Sequence, residues 1–515
     1  MKKIIYTGLV LISTLSLLSC KDEFLDKGSL TQLAEGNFWQ NERDAQLGVN
    51  AIYDVLQDRI LYSGNLNGNA GLAQYDAFTD NIFNNYKFEG PGNFVEARLD
   101  ASADFFNSFW AACYKGIGRV NLAIQKIEKI PETLMSADAK KKVMGQAYFL
   151  RALFYINLAI YFEDVPLILN VQPLNEAYVP KNKYSEVKAA IISDLEKAVA
   201  GLPNSYPEAQ FGYATKGAAL SLLARFQLYN KNYTEVVNLT SQVLTLGYKL
   251  HPSYPELFSD VGEFSQEVIF SVRFIQDQSN NGETLSATFE GIPKVDHQPM
   301  PNLVDSYYCT DGLPITKSPL YNAQNKKLNR DPRLGASVYF QGDIFLIHLN
   351  RAFASNTATK YGLKKYIRNN RSATGISVFA PGGQDFYVIR YADVLLMRAE
   401  ALAELSQLPE VYSLINQVRA RVKMPTVETV EGMGLTKQRL IDIVKQERRV
   451  ELAFEGLRFF DLKRWGEVAQ GYQRATSDKI NSYAPVYRGK KSEIFPIPQN
   501  ELDANKALTQ HPDWN

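Results

Sequence analysis

The stretch ATKGAALSLLARFQLYNKNYTEVVNLTSQVLTLG, residues 214–247, predicts two antiparallel helices joined by a tight turn. Leu222 and Phe226 belong to an apolar set that recurs every three or four residues, the spacing of one helix face. The sequence NKN at 230–232 then breaks the helical pattern and marks a turn. The second apolar face consists of Val236, Val237, Leu239, Thr240, Val243 and Leu244. Gly247 is a typical helix-ending residue, so the pair closes there.

A second helical pair lies far along the chain in YADVLLMRAEALAELSQLPEVYSLINQVRARV, residues 391–422, with its turn at 406–409. Weaker pairs can be drawn from 42–56 with 105–127 and from 139–161 with 185–199. Antiparallel helix pairs with small residues at the crossing follow the tetratricopeptide plan, here as a degenerate repeat. Because one pair cannot bury both of its faces, we expect several pairs to stack into one solenoid-like scaffold.

Two long segments depart from this helical pattern and predict loop-rich insertions, at about 63–98 and about 248–387. Both are rich in Gly, Pro and Asn, and the second contains short β-prone runs at 268–274, 338–340 and 344–349. Long loops held on a rigid scaffold are where binding sites usually lie. We therefore expect the ligand-binding face on these insertions.

Aromatic and amide side chains mix in the insertions in the way that sugar-binding sites require. Flat rings stack on the apolar faces of pyranoses, while amides and carboxylates bond to the hydroxyl groups. The candidate ligand-binding residues are Tyr75, Asp80, Asn84, Tyr86, Phe88, Phe289 and Tyr308. The alternative for each ring is that it packs within the helical repeats.

The N-terminus predicts a secreted, lipid-anchored protein. The basic head MKK at 1–3 and the apolar run at 4–18 form a signal peptide. This run is shorter than the roughly 20 apolar residues of a membrane-spanning helix. The sequence LLSC at 17–20 resembles a bacterial lipobox, in which the cysteine is acylated and becomes the new N-terminus. We expect residues 1–19 to be removed and Cys20 to carry the lipid that tethers a soluble chain.

Charge, cysteines and histidines argue against several classes of protein. The chain carries 56 Lys and Arg against 55 Asp and Glu, without the basic excess that nucleic acid requires. Cys113 and Cys309 can either pair in an oxidising compartment or stay as buried thiols. Metal-site spacing is absent among His251, His297, His348 and His511. We expect no metal and no cofactor beyond the lipid, and no EF-hand pattern supports calcium in the loops.

Two further motifs have a structural and a chemical interpretation. Gly116-Ile117-Gly118 lies inside a helical pattern, which predicts a close helix crossing rather than a phosphate-binding loop.

The sequence KQERRVELAFEGLRFFDLKRW at 445–465 places Glu447, Glu451 and Glu455 on one face of a predicted long helix. Paired carboxylates serve glycoside hydrolases, but interleaved cations lower a carboxylate pKa, which does not suit a general acid. We interpret the three glutamates as part of an ion-pair lattice that ties this helix to its neighbours.

A series of segments resembles the SusD/RagB family, surface lipoproteins of Bacteroidetes that capture nutrients. The segments are CKDEFLD (20–26), WAACYKGIGRVNLAI (110–124), GQAYFLRALFYINLAIYFEDVPLIL (145–169), EVIFSVRF (267–274), YYCTDGLPI (307–315), RDPRL (330–334), IRYADVLLMRAEAL (389–402), INQVRARV (415–422), ERRVELAFEGLRFFDLKRWG (447–466), FPIPQNEL (495–502) and QHPDWN (510–515). Their order and number extend the resemblance over nearly the whole chain after the leader.

The resemblance implies a mostly α fold, in which 20–515 forms a single SusD-like domain. Tetratricopeptide-like helices at about 42–247 and 389–466 would carry the loop-rich insertions as a partly irregular ligand face. Family members are not enzymes; they cover a TonB-dependent (SusC-like) outer-membrane transporter and pass an oligosaccharide, sometimes a peptide, inward. The acidic sequence KDE at 21–23 resembles the signal that sends Bacteroidetes lipoproteins to the outer face of that membrane.

The chain departs from the family pattern at two places. Family members often have FGDVPL where this chain has FEDVPL at 162–167, so we expect a local change in that turn. All four tryptophans fall in scaffold-like segments, at Trp39, Trp110, Trp465 and Trp514. Any aromatic platform must therefore come from Tyr or Phe in the loops, which keeps peptides and glycans other than a flat glucan open.

The main functional hypothesis is thus a non-catalytic cell-surface lipoprotein that captures oligosaccharide for a transporter. The same role for peptides is the first alternative. A glycoside hydrolase that uses Glu447 or Glu451 is a second, and a periplasmic scaffold lipoprotein that assembles other proteins through its repeats is a third.

Overall fold

The computed structural model describes residues 38–64, 71–85, 90–275, 281–285, 296–346, 350–366, 382–480 and 483–515. Within these ranges the chain is mostly α-helical with a few short strands, which confirms the predicted fold class. The predicted signal peptide and Cys20 lie outside the described residues.

The helices of the described ranges have bounds close to those of the predicted pairs. They are α1 (Glu42–Leu56), α2 (Gly90–Val95), α3 (Asp104–Glu128), α4 (Ala137–Phe162), α5 (Tyr184–Gly201), α6 (Lys216–Tyr229), α7 (Tyr233–Leu244), α8 (Tyr254–Leu257), α9 (Pro301–Ser306), α10 (Pro332–Ser337), α11 (Tyr391–Glu404), α12 (Leu408–Arg421), α13 (Val427–Glu431), α14 (Lys437–Glu451), α15 (Arg458–Trp465), α16 (Val468–Ser477) and α17 (Gln499–Ala504). Side-chain caps set several helix starts, because each accepts a hydrogen bond from an amide of the first turn. These caps are Asn41 for α1, Ser136 for α4, Thr215 for α6 and Thr436 for α14.

Short strands pair two by two into small antiparallel ribbons within the described part of the chain. They are β1 (Ile82–Asn84), β2 (Val268–Val272), β3 (His297–Pro299), β4 (Val338–Tyr339), β5 (Ile344–Leu346), β6 (Arg351–Ala352), β7 (Gly362–Leu363) and β8 (Phe386–Arg390). The ribbons are β1–β3, β2–β8, β4–β7 and β5–β6. The first ribbon pairs a strand of one predicted insertion with a strand of the other, so the two insertions are in contact.

The helices pack in a continuous succession, as the stacked-pair prediction requires. Helix α1 packs on α3 and α4, α4 packs on α5, and α5 packs on α6. The succession continues through α7 to α11, which packs on α12 and α14. The second insertion thus leaves the scaffold after α7 and returns at the start of α11.

Helix α4 lies at the centre of this scaffold and is apolar on nearly all sides. Among the described residues it is the one helix with the length and composition to cross a membrane. However, 83% of its apolar stretch is buried inside the fold. A helix that is apolar all round and enclosed by other helices is a core helix.

Gly116 allows α3 to approach α4 closely. A Cβ atom at this position would lie 2.3 Å from two ring carbons of Phe154, well inside any real contact distance. The predicted close helix crossing is therefore confirmed. Two residues further on, a Cβ atom at Gly118 would have no atom within 4 Å.

Replacing Gly116 by alanine is expected to lower the free energy of unfolding by about 1–3 kcal/mol, because the ring of Phe154 must move within a packed core. Gly118→Ala is the matched control on the same helix. Its methyl group enters open space and alanine favours helix, so the free energy of unfolding should rise by about 0.5–1 kcal/mol. Urea denaturation followed by circular dichroism measures both, and effects of equal sign would contradict the proposed crossing.

Aromatic rings from distant segments form the core, which accounts for the 29 Tyr and 28 Phe of the chain. Phe495 lies at its centre, with its ring centroid 4.7 Å from that of Tyr161, and its amide donates to the Tyr161 carbonyl oxygen. The other rings around it are those of Tyr75, Phe78, Phe94, Phe105, Phe106, Phe109 and Phe162. A C-terminal residue thus completes a core built mainly from the N-terminal half.

The turn after α4 has Glu163 at the position where the family pattern often has glycine. Glu163 has a φ of +63°, a region that a residue with a side chain enters at a cost of about 1–2 kcal/mol. Its carboxylate lies 2.5 Å from the Lys490 ammonium and 3.5 Å from that of Lys463. These ion pairs connect the end of α4 to the C-terminal elements and stabilise the turn.

The two internal cysteines do not form a disulfide. Cys113 and Cys309 are both buried and both have free thiols. Of the two alternatives that the sequence leaves open, a disulfide or two buried thiols, the structure has the buried thiols.

Candidate functional site

Glu451, at the C-terminal end of α14, is the centre of a buried ion-pair lattice. Its Oε1 lies 2.6 Å from Nη1 of Arg390 and 2.5 Å from Nη2 of Arg421. Its Oε2 lies 3.0 Å from Nη1 of Arg333. Glu451 is fully buried, so the lattice joins α14 to α10, α12 and the end of β8 without contact with solvent. The interpretation of these glutamates as an ion-pair lattice is confirmed.

Glu455 belongs to the same lattice but not to the same helix, so the predicted continuous helix over 445–465 is wrong. Helix α14 ends at Glu451, and the chain turns through Phe454 (φ +67°) and Gly456 (φ +74°) before α15 begins. The carboxylate of Glu455 then binds the Arg390 guanidinium with two hydrogen bonds of 2.7 Å and accepts a third, also 2.7 Å, from Lys365.

The electrostatics of the lattice do not suit acid catalysis. Burial alone would raise the pKa of Glu451, but the guanidinium groups of Arg421 and Arg390 hold it well below its usual range. The pKa of Glu447 is likewise lowered, because Arg333 and Arg419 outweigh its burial. A general acid needs a raised pKa and access to substrate. These glutamates have neither.

Two of the predicted ligand-binding residues lie in the interior, because residues 71–85 form a packed segment rather than an open loop. Tyr75 is fully buried, and its ring contacts those of Phe78 and Tyr161 at centroid distances of 4.9 and 5.1 Å. Asp80 is also fully buried and pairs with Arg458 at 2.9 Å and Arg474 at 2.6 Å. Neither side chain can contact a ligand outside the fold, so both predictions are corrected.

The other predicted ligand residues divide into a structural one, a half-buried one and three that lie outside the described ranges. Asn84 is buried; its amide group donates to Asp296 at 2.7 Å and its Oδ1 accepts from the amide of Gly92 at 2.9 Å. It therefore stabilises the strand ribbon rather than a ligand. Tyr308 is half-buried, and burial raises its pKa although Arg439 and Arg419 oppose that rise. Tyr86, Phe88 and Phe289 lie outside the described residues.

An aromatic cleft lies instead where the loop between α5 and α6 meets the turn before β2. It has two chambers of about 240 and about 280 Å³. Residues 211–213 and Ser271 line both chambers, so the two chambers adjoin. We call this feature the Phe264 cleft, after the residue whose ring stands at the rim of the first chamber.

Two phenyl rings and one guanidinium form the most distinctive surface of the Phe264 cleft. The ring centroids of Phe211 and Phe264 are 4.9 Å apart. The guanidinium carbon of Arg273 lies 4.7 Å from the centroid of Phe264 and 5.2 Å from that of Phe211, within cation–π distance of both. Phe264 is nevertheless 56% exposed, which is unusual for a ring of this size.

Hydrogen bonds to the scaffold fix this surface in place. Arg273 donates from Nε to Asp385 at 2.9 Å, and its carbonyl oxygen accepts from Gln57 at 2.7 Å. On the other wall, the hydroxyl of Tyr53 accepts from the amide of Ala214 at 2.9 Å. The cleft is therefore attached to α1 and to the segment before β8.

Gly212 is required for the close approach of the two walls. Its φ is +107°, a conformation that favours glycine. A Cβ atom there would lie 2.9 Å from Cγ of Arg273. The absence of a side chain at this position allows Arg273 to lie against Phe211.

The sequence interpretation did not single out the residues of this cleft. Phe211 lies more than fifty residues before Phe264 and Arg273, and its α5–α6 loop lies outside both predicted insertions. A local sequence feature could have indicated the two phenylalanines. Each phenylalanine stands in a short polar turn beside a glycine, in AQFGY at 209–213 and in VGEFSQ at 261–266.

Within the described ranges, no group of three or more His, Cys, Asp or Glu side chains is arranged to hold a metal ion. The first chamber of the Phe264 cleft is lined by uncharged side chains only. Its chemistry is that of ring stacking and hydrogen bonding rather than of metal or acid catalysis.

Comparison with known proteins relates the whole chain to one family. A family model described as "SusD family" matches residues 266–514, and another described as "Starch-binding associating with outer membrane" matches residues 24–228. A SusD-like protein of Formosa agariphila is 28% identical in an alignment that covers 93% of this chain and 95% of the relative.

Solved structures of the same family share the fold. A SusD-like carbohydrate binding protein of Bacteroides fragilis has a TM-score of 0.79 at 26% identity, over 92% of this chain and all of that protein. A laminarin binding SusD-like protein has a TM-score of 0.73 at 25% identity, over 92% of this chain and 99% of that protein. The resemblance of the sequence segments is thereby confirmed, and the chain belongs to the SusD/RagB family.

Proposed function

We propose that this protein is a non-catalytic, lipid-anchored binding protein of the outer membrane, which captures oligosaccharide at the cell surface and delivers it to a TonB-dependent transporter. The observation that carries the binding role is the Phe264 cleft, an accessible aromatic and amide surface fixed to a rigid helical scaffold. Relatives named as carbohydrate binding and laminarin binding support the same ligand class.

The non-catalytic role is supported by the state of the acidic residues. Glu447 and Glu451, the pair that a hydrolase would need, are buried and engaged with arginines. Hydrolytic carboxylates must instead converge on an accessible sugar.

The membrane role is supported by the lipobox at residues 17–20 and by the family description that names association with the outer membrane. A ligand captured at the outer membrane would then be taken up through the transporter barrel. The partner in this proposal is a SusC-like barrel, and lipid on Cys20 would hold the two proteins in one membrane.

The proposal predicts that the purified mature chain binds soluble polysaccharide and that the lipidated chain copurifies with a large barrel. Affinity electrophoresis in starch and laminarin gels measures the first, and tagged protein drawn from detergent-solubilised outer membranes measures the second. Peptide binding without glycan binding would favour the peptide alternative. Absence of both ligands and of a barrel would refute the proposal.

The cell-surface position has a separate test that distinguishes it from a periplasmic scaffold. Protease added to intact cells should remove the protein, while a periplasmic marker protein survives. Protection of the protein from the protease would favour the scaffold alternative.

A further inference from the structure

We propose that the Phe264 cleft is itself the saccharide site and that it takes an uncharged chain of at least two sugar units, with Phe264 as the stacking ring. This inference rests on the proposed function and adds to it the position and the chemistry of the ligand contact.

The exposure of Phe264 is the first reason. The ring stands in the turn before β2 with 56% of its surface accessible. The carboxylate of the preceding residue, Glu263, accepts a 2.8 Å hydrogen bond from the amide of Asp385, so the turn is fixed to the scaffold. A rigid, exposed ring loses little conformational entropy on binding, which is what a stacking platform requires.

Polar side chains at the rim form the second reason. The amides of Gln210 and Gln266 are exposed there and offer planar donors and acceptors to sugar hydroxyls.

The form of the cleft indicates a chain rather than a single sugar. The two chambers share residues 211–213 in their lining, and together they fall within the range of about 300–1,000 Å³ that is typical of ligand sites. A saccharide of two units can therefore place one unit in each of these adjoining chambers.

The charges of the cleft indicate an uncharged ligand. The first chamber has no charged side chain in its lining, and in the second Arg273 is already paired with Asp385. Asp54, which also lines the second chamber, is likewise paired, with Arg119 at 3.3 Å. Both charged side chains of this chamber are thus already balanced, which favours a neutral ligand.

The test measures binding of the full mature chain to an array of neutral and uronic-acid oligosaccharides that includes fragments of starch and laminarin. The strongest ligand is then titrated by calorimetry. Phe264→Ala should weaken its binding at least about tenfold, as loss of a stacking anchor does, whereas Phe264→Trp should retain binding. Tyr178→Ala removes another exposed ring, which is 66% accessible and does not line either chamber, and should leave affinity unchanged.

The outcomes separate this inference from the proposed function. Glycan binding that Phe264→Ala leaves unchanged would refute the cleft and leave the proposed function standing. Binding of uronic-acid chains alone would refute the uncharged class, and absence of all glycan binding would refute both proposals. If Phe264→Ala does not fold by circular dichroism, Gln210→Ala replaces it, since this exposed amide should also contribute to affinity.

Discussion

Replacing Glu451 by glutamine is expected to lower the free energy of unfolding by about 3–5 kcal/mol, the usual result of removing one member of a buried ion pair. The carboxylate faces Arg333, Arg390 and Arg421, all nearly inaccessible to solvent. Glutamine keeps the shape of the side chain but not its charge. The three guanidinium groups would then be buried with one carboxylate fewer to balance them. Urea denaturation at neutral pH measures the loss.

A matched control distinguishes burial from charge alone. Glu42 is half-exposed and pairs with Lys142 at 3.2 Å on the surface, so Glu42→Gln should change stability by no more than about 1 kcal/mol. The same pair of variants tests the hydrolase alternative. If Glu451→Gln folds with unchanged stability and abolishes a measurable release of sugar, the lattice interpretation fails and the glutamate is catalytic.

The second large effect is expected at Asp80, which the sequence indicated as a ligand residue. Asp80→Asn should also lower the free energy of unfolding by about 3–5 kcal/mol, because the carboxylate is fully buried beside Arg449, Arg458 and Arg474. A ligand-contacting aspartate on the surface would instead lose affinity with little change in stability. Asp305→Asn, which affects a partly exposed pair with Lys326, is the control.

The pH dependence of Asp80 gives this prediction a second measurement. Burial alone would raise its pKa, but Arg449 and Arg458 hold the pKa well below its usual range. A carboxylate whose pKa is lower in the folded state stabilises the fold above the unfolded pKa and loses that contribution as pH falls. The difference in stability between wild type and Asp80→Asn should therefore shrink by about 1 kcal/mol between pH 5 and pH 3. A constant difference would contradict the ionised, buried state.

The helical scaffold could be predicted because its information is local. Leu222 and Phe226 already show the apolar period of a helix, and Gly116 inside such a period indicates a close crossing. The helix break that places Glu455 between α14 and α15 could not be predicted in this way. Asp76 accepts hydrogen bonds from the amides of Phe454 and Arg458, and these contacts, from residues almost four hundred positions apart, accompany the break between α14 and α15.

The candidate site was harder to predict for the same reason. Rings and amides in residues 71–85 have the composition of a ligand loop, but Tyr75 turns inward because the aromatic core offers it partners from α3, α4 and Phe495. The Phe264 cleft depends on three short segments that only the folded chain brings together. Composition indicates the type of contact, whereas long-range packing decides which residues make it.

The position of Phe495 has a consequence for how the chain matures. Synthesis proceeds from the N-terminus, so the helices around α3 and α4 are made first. Their shared core lacks its central ring until Phe495 is made, more than three hundred residues after α4. These helices therefore cannot complete their packing until that later part of the chain is present.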